Sequence, residues 1–334
     1  MTKLSECASI LASRVRYLAL MLFLVVLSSI APSQTASRSQ DRPDGTHTIK
    51  VNTNLVVLHA TAHDHKGAPV SGLDKDSFQV YEDGALQQIK DFSREDLPVT
   101  VGLVIDNSGS MREKRAEVIA AALAFARSSN PQDQMFVVNF NEHVRFALPD
   151  NTPFTDKVPD LEAALSRIRT RGETALYDAV AAALEHLKKG NRDKKVLIVI
   201  SDGGDNASKY DLAQVMAMAQ HSEAIVYTIG LFDEEDRDRN THVLKELAGD
   251  TGGDYFQPDS LKEAVPVCER IARDIRNQYT ITYVPANARQ DGTYRLIQVK
   301  ADGPGHKHLS VRTRAGYRAP LAPQPSPAAR ANVP

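Results

Sequence analysis

The chain has 334 residues, of which 42% are hydrophobic and 25% charged, with a formal net charge of −2 at pH 7. That is length for one large domain or two ordinary ones, in the composition of a globular protein. The near-neutral balance, with no dense basic stripe, excludes an electrostatic argument for nucleic acid.

The first 31 residues read as a secretory signal peptide. Lys3, Arg14 and Arg16 precede the apolar run YLALMLFLVVLSSIA (17–31), which closes on small residues. The uninterrupted apolar core is shorter than the roughly 20 residues of a membrane span. The expectation is therefore export, to the periplasm or the exterior. A membrane is a partner only if this segment stays uncleaved as a tether. Of the two cysteines, Cys7 lies in this segment, so Cys268 would remain alone and no intramolecular disulfide could form. Residues 32–46, PSQTASRSQDRPDGT, are polar and rich in Ser, Pro and Gln, the composition of a disordered linker.

Residues 47–97 carry β patterning with no helical period. TIKVNTNLVVLHATA is β-rich and partly alternating, and the EDG at 82–84 between two alternating runs signals a hairpin. Residues 98–277 alternate apolar strands with helical periods. VTVGLVID, QMFVVNFN, KKVLIVISDG and AIVYTIGL read as strands, with HVRFALP hairpinned back through Asn141 and Glu142. REKRAEVIAAALAFARSS, DLEAALSRIR, TALYDAVAAALEHLKK, DLAQVMAMAQHS and HVLKELAGDTG read as helices, the last with a Gly stop. GDYFQ is a short strand, and a helix spans 260–277 with Cys268 on its apolar face. Pro266 should kink that helix, or else the helix starts later. Near-continuously apolar strands alternating with helices define a mostly parallel, doubly wound α/β sheet covered on both faces. Residues 278–318 return to β in three runs, QYTITYVPA, GTYRLIQVKA and LSVRTRAGY. Three strands alone bury too little to be stable, so they are expected to join the 47–97 segment in one β-sandwich-like domain split around the α/β domain. The Pro/Ala-rich tail, 319–334, reads as disordered.

Ligands of doubly wound folds bind at the carboxyl ends of the strands. Asp106 ends the first α/β strand, and Ser108 and Ser110 follow in DNSGSM. Asp202 follows another apolar strand in SDGGDN, and Thr174 stands at the head of a helix in GETALYDA. Two carboxylates and three hydroxyls, with no His or Cys in these loops, suit a hard divalent cation: Mg²⁺, with Mn²⁺ or Ca²⁺ as alternatives. Two carboxylates only just neutralise such an ion, so it would stay receptive to an acidic ligand from outside. The competing reading of each Asp is a helix N-cap.

DNSGSM, GETALYDA and SDGGDN resemble the three loops of a von Willebrand factor A domain, in the right order and on the expected elements. The resemblance covers roughly residues 98–276. It implies a metal-ion-dependent adhesion site, with Ser108 and Ser110 as direct ligands, Thr174 direct or through water, and Asp106 and Asp202 holding coordinated waters. It also implies a protein partner offering Asp or Glu. No small-molecule substrate and no enzymatic activity are expected, because the residues assign no reaction class by role. The flanking β regions are similar to those of an exported von Willebrand factor A-related family of acidobacteria, which brings no biochemical function with it. Two other readings stand beside adhesion: a metal-independent structural component of an envelope assembly, and a metal-assisted hydrolase. The hydrolase reading lacks a base, since Glu173 reads as a first-turn helix acid and His186 and His221 as surface or capping residues. The acidic run FDEEDRDRN (232–240) lacks the ligand spacing and bend glycine of a calcium loop and reads as a solvated loop.

Overall fold

The computed structural model describes residues 55–167, 170–232, 240–303 and 306–322. The expected signal segment, the linker, residues 47–54, the charge run at 233–239 and the tail from 323 lie outside these residues.

The first four strands are β1 (Val56–His63), β2 (Phe78–Glu82), β3 (Ala85–Gln87) and β4 (Ile89–Ser93). The hairpin read from EDG is β2–β3, turning through Asp83 (φ 48°) and Gly84 (φ 81°). Positive φ at both central residues is what a two-residue hairpin of matching twist requires. The α/β layer follows, with β5 (Thr100–Asp106), α1 (Arg115–Ser128), β6 (Gln134–Phe140), β7 (Val144–Phe146), α2 (Val158–Ser166), α3 (Leu176–Leu187) and β8 (Lys195–Ser201). It continues through α4 (Leu212–Ser222), β9 (Ile225–Gly230), α5 (Thr241–Thr251), β10 (Tyr255–Phe256) and α6 (Ala264–Arg276). The chain then returns to β11 (Tyr279–Tyr283), β12 (Tyr294–Gly303), β13 (His306–Arg312) and β14 (Gly316–Arg318).

The α/β sheet has strand order β10-β9-β8-β5-β6-β7, parallel except for β7, which runs antiparallel beside β6. Every residue of β5 is buried, as expected of a central strand covered on both faces. Gly102 lies in its middle because a Cβ there would stand 2.5 Å from both Phe136 and Leu197 of the flanking strands. Helix α4 begins with a capping box between Asp211 and Gln214, and α5 stops at Gly252, in the left-handed conformation (φ 85°). Pro266 is the third residue of α6, whose α-helical part begins at Ala264. A first-turn N–H has no intrahelical partner to lose, so the proline sets a later start instead of a kink. Cys268 lies on the apolar face of α6 and is fully buried.

The second sheet joins strands from both sides of the α/β layer in the order β3-β2-β12-β13-β1-β11-β4, with β14 on β12. Strands β3 and β4 stand at opposite ends of this path yet are separated in sequence only by Gln88, so the sheet rolls on itself. Face-to-face packing records that closure: the rings of Phe78 and Phe92 have centroids 5.4 Å apart, and Tyr279 lies 5.0 Å from Phe78. This is the sandwich-like arrangement expected from the two flanking segments. One detail differs. The third C-terminal run is two strands, β13 and β14, because the chain swings across α5, donating Ala315 N–H to Asp250 O, before pairing with the other end of β12. All the described residues belong to one compact unit.

The rolled sheet is fastened by a buried polar cluster. Glu82 and Arg295 are 3% and 2% exposed and their side chains lie 3.0 Å apart. Tyr283 and Tyr317 both donate their hydroxyls to Glu82 Oε2, at 2.7 and 2.9 Å. Arg295 also donates to the carbonyls of Asn287 and Arg289. No helix of the described residues is long and apolar enough to cross a membrane.

Candidate metal centre

Chain order reverses at β5, which has β6 on one side and β8 on the other. The helices leaving these strands cover opposite faces, so a crevice opens beyond their carboxyl ends. Asp106 is the last residue of β5, and Asp202 follows the last residue of the adjacent β8. The topology alone thus brings together two carboxylates that are 96 residues apart in the chain.

The side chains complete the arrangement. Asp106, 2% exposed, accepts the Ser108 backbone N–H on Oδ1 at 2.8 Å and the Ser201 hydroxyl on Oδ2 at 2.6 Å. The hydroxyls of Ser108 and Ser110 are 3.1 Å apart. Ser110 donates to Asp202 Oδ2 at 2.5 Å, while Asp202 Oδ1 accepts the Gly204 N–H at 3.1 Å. The Thr174 segment is latched to the Asp202 loop: its N–H reaches Asn206 Oδ1 at 2.8 Å, and its carbonyl accepts from the N–H groups of Asn206 and Ala207. It is latched to the serine loop as well, through Gly109 N–H to Gly172 O at 3.0 Å and Arg171 N–H to Asn107 O at 2.9 Å. The Thr174 hydroxyl itself makes no hydrogen bond among the described residues. Asp106, Ser108, Ser110 and Asp202 therefore form one connected group, and Thr174 joins it through backbone contacts between loops.

Neither aspartate caps an α-helix. Helix α4 is capped by Asp211, and no side chain caps α1. Burial, and then the negative charge of Asp202, push the Asp106 carboxyl up to about 7, against the pull of the hydrogen bonds from Ser108 and Ser201. Among the described residues no cluster of three or more His, Cys, Asp or Glu side chains could hold a metal. The donor set here is two carboxylates with hydroxyls, which fits a hard cation that keeps part of its water.

Two supporting residues escape sequence reading. Ser201 is fully buried and anchors both Asp106 and the Gly203 N–H, the latter at 3.0 Å. Its signal is a hydroxyl closing a strand that is apolar from Val196 to Ile200. Asn206 positions Thr174 from the end of SDGGDN. Glu173 is exposed and lies three residues before α3, outside the first turn where it was expected. His186 is no simple surface residue: its ring is wedged against Phe136, Phe146 and Phe154, with centroids 4.5 to 5.0 Å away, and its Nε2 meets Pro153 O at 2.9 Å. His221 stays near the end of α4, its Nδ1 on Ala217 O.

A doubly wound sheet that gathers carboxylates and hydroxyls from three loops at one edge defines an α/β domain with a polar edge at the carboxyl ends of its strands. Sequence comparison gives the family: the profile of the von Willebrand factor type A domain matches residues 100–267, half of the chain, and the chain belongs to that family. The uncharacterized protein sll0103 of Synechocystis sp. is 24% identical over 187 residues, 54% of this chain and 42% of that protein. Inter-alpha-trypsin inhibitor heavy chain H4 of Bos taurus is 22% identical over 282 residues, 79% of this chain and 29% of that protein. The chain thus spans less than half the length of either curated relative. Among solved structures, a von Willebrand factor type A protein from Catenulispora acidiphila superimposes with a TM-score of 0.50 at 15% identity, covering 71% of this chain and 75% of that one. This likeness concerns the fold alone.

Proposed function

We propose that this chain is a Mg²⁺-dependent protein-binding module of an exported bacterial protein, and that it captures an Asp or Glu side chain of a partner at the cation site. The observation that carries the reading is the link from Ser108 through Ser110 to Asp202, formed beside a buried Asp106 whose proton affinity is raised by burial and by the charge of Asp202. Domains of this family are generally interaction modules and often hold a divalent metal. In the proposed site Ser108, Ser110 and Thr174 supply hydroxyl oxygens, and Asp106 and Asp202 supply charge directly or through water. Ser201 and the Ser108 N–H hold the Asp106 carboxylate in place, and Asn206 holds Thr174. A bound cation would supply an electrophilic position for the partner's carboxylate. We read the role as binding: Ser108 hydrogen-bonds to Ser110 and Ser110 to Asp202, so among the described residues neither hydroxyl meets a His that could act as its base. Export is proposed from the basic and apolar pattern of residues 1–31.

Calorimetric titration of the purified protein with Mg²⁺ and with Mn²⁺, beside Asp106→Ala, tests the site. Heat of binding in the wild type and its loss in the variant supports it. If the wild type binds neither ion, alone or in the presence of a carboxylate, the reading gives way to a metal-independent structural role.

A further inference from the structure

A second polar feature opens one residue away from the proposed cation ligands. A surface cavity of about 370 Å³ lies between the serine loop, the β6–β7 turn and the segment that leads from α2 to α3. Asn107, which stands between Asp106 and Ser108, forms part of its wall. Arg145 reaches it from β7, and Arg167 and Arg171 from the α2–α3 segment. None of these three guanidinium groups makes a hydrogen bond or ion pair among the described residues. Glu142 is the one carboxylate among the lining residues. It packs over Gly172, whose missing side chain and left-handed backbone (φ 88°) leave room for it, and its Oε2 is buried without a hydrogen-bond partner. The floor is Asn139, 2% exposed. Its Oδ1 accepts from Asn107 Nδ2 at 3.0 Å, while its own Nδ2 is buried with no acceptor among the described residues. A buried donor without an acceptor costs stability unless something supplies one.

We infer that this cavity is a second acidic subsite, so that the protein partner presents two carboxylates, one to the cation site and one to the arginines. The inference rests on the cation-site reading above and adds the partner's chemistry to it. Three guanidinium groups against one carboxylate leave the cavity positive, and the planar fork of arginine matches a carboxylate in geometry. The Asn139 amide adds a donor beneath them. The arrangement also supplies selectivity. A lone cation position accepts any exposed Asp or Glu, whereas a second subsite rejects partners that leave the arginines unpaired.

The test uses acetylated, amidated and fluorescein-labelled hexapeptides. Each carries one Asp, and each is compared with a version bearing a second Asp one to four residues further on. Binding is read by fluorescence anisotropy in Mg²⁺ and in chelator, on wild type, on Asp106→Ala and on the triple variant Arg145→Gln/Arg167→Gln/Arg171→Gln. At least one doubly acidic peptide is expected to bind about tenfold more tightly than its single-Asp control, a difference of about 1.4 kcal/mol. That advantage should vanish in the triple variant and shrink with salt. The single-Asp peptide should bind the triple variant as it binds wild type, which also establishes that the variant is folded. If no second Asp improves Mg²⁺-dependent binding, or if the gain persists in the triple variant, the inference is overturned and the cation site stands. If binding ignores both chelator and Asp106→Ala, or no peptide binds at all, the cation reading and the inference fall together.

Discussion

Glu82→Gln is the sharpest probe of how the two chain segments flanking the α/β domain are held together. The carboxylate belongs to β2, ahead of the inserted domain, and its three side-chain donors, Tyr283, Arg295 and Tyr317, all come after it. The substitution keeps the volume and removes the charge. It leaves the Arg295 guanidinium, 2% exposed, without its counter-ion, and one of the tyrosine hydroxyls competing for a weaker acceptor. Breaking a buried ion pair from one side costs about 3–5 kcal/mol. For a chain of this size that lowers the melting temperature on the order of 10 °C. Urea denaturation followed by tyrosine emission suits the measurement, because the chain has no tryptophan and Tyr279, Tyr283 and Tyr317 all lie in the rolled sheet. The double replacement Glu82→Leu/Arg295→Met should recover most of the loss, since the desolvation cost disappears with the charges. A cost below about 1 kcal/mol for Glu82→Gln, or a coupling near zero in the cycle of Glu82→Leu, Arg295→Met and the double variant, would refute the claim that this pair is a dry, mutually dependent contact.

Gly102→Ala forces a Cβ to within 2.5 Å of Phe136 and Leu197 and should destabilise the α/β core by about 1–3 kcal/mol; an unchanged denaturation midpoint would contradict the packing described. Burial first, and then the charges of Arg312 and Arg270, lower the His63 imidazole to about 4. The unfolded chain therefore takes up that proton first, and stability falls as the pH drops from about 6.5 towards 4, by up to about 3 kcal/mol from this residue. His63→Gln should flatten the acid limb of a stability–pH curve, and an unaltered limb would exclude the residue as its source. Ser201→Ala frees Asp106 Oδ2 from its 2.6 Å hydrogen bond and should weaken Mg²⁺ binding while leaving some. Asp202→Ala should abolish it, and calorimetry separates the two outcomes.

Much of this architecture is legible in local chemistry. The central strands are apolar at nearly every position, Asp83-Gly84 fits only a tight hairpin, and Pro266 marks a first helical turn. The aspartates and serines of the candidate centre were readable because strand ends and short loops are local features, and topology then carries them to one edge. What escaped depends on distant partners. Nothing near Gln88 states that β3 and β4 close a rolled sheet, since that follows from contacts between Phe78, Phe92 and Tyr279. His186 reads as polar until Phe136, Phe146 and Phe154 surround it. The arginine cavity is assembled from three segments whose individual charges look like ordinary surface residues.

The connections that enter and leave the α/β domain lie side by side. Arg94 Nη2 donates to Asn277 Oδ1 at 3.2 Å, and Arg276 pairs with Asp96 at 2.7 Å. Both connections sit at the amino ends of the parallel strands, opposite Asp106 and Asp202. In mechanical terms the domain hangs from a single clasped root and is not threaded in series along the chain. Tension pulling the two ends of the rolled sheet apart bypasses the α/β core. Tension from a partner held at the proposed cation edge would run lengthwise down β5 and β8 to that root, loading their ladders in shear, where many hydrogen bonds share the force at once.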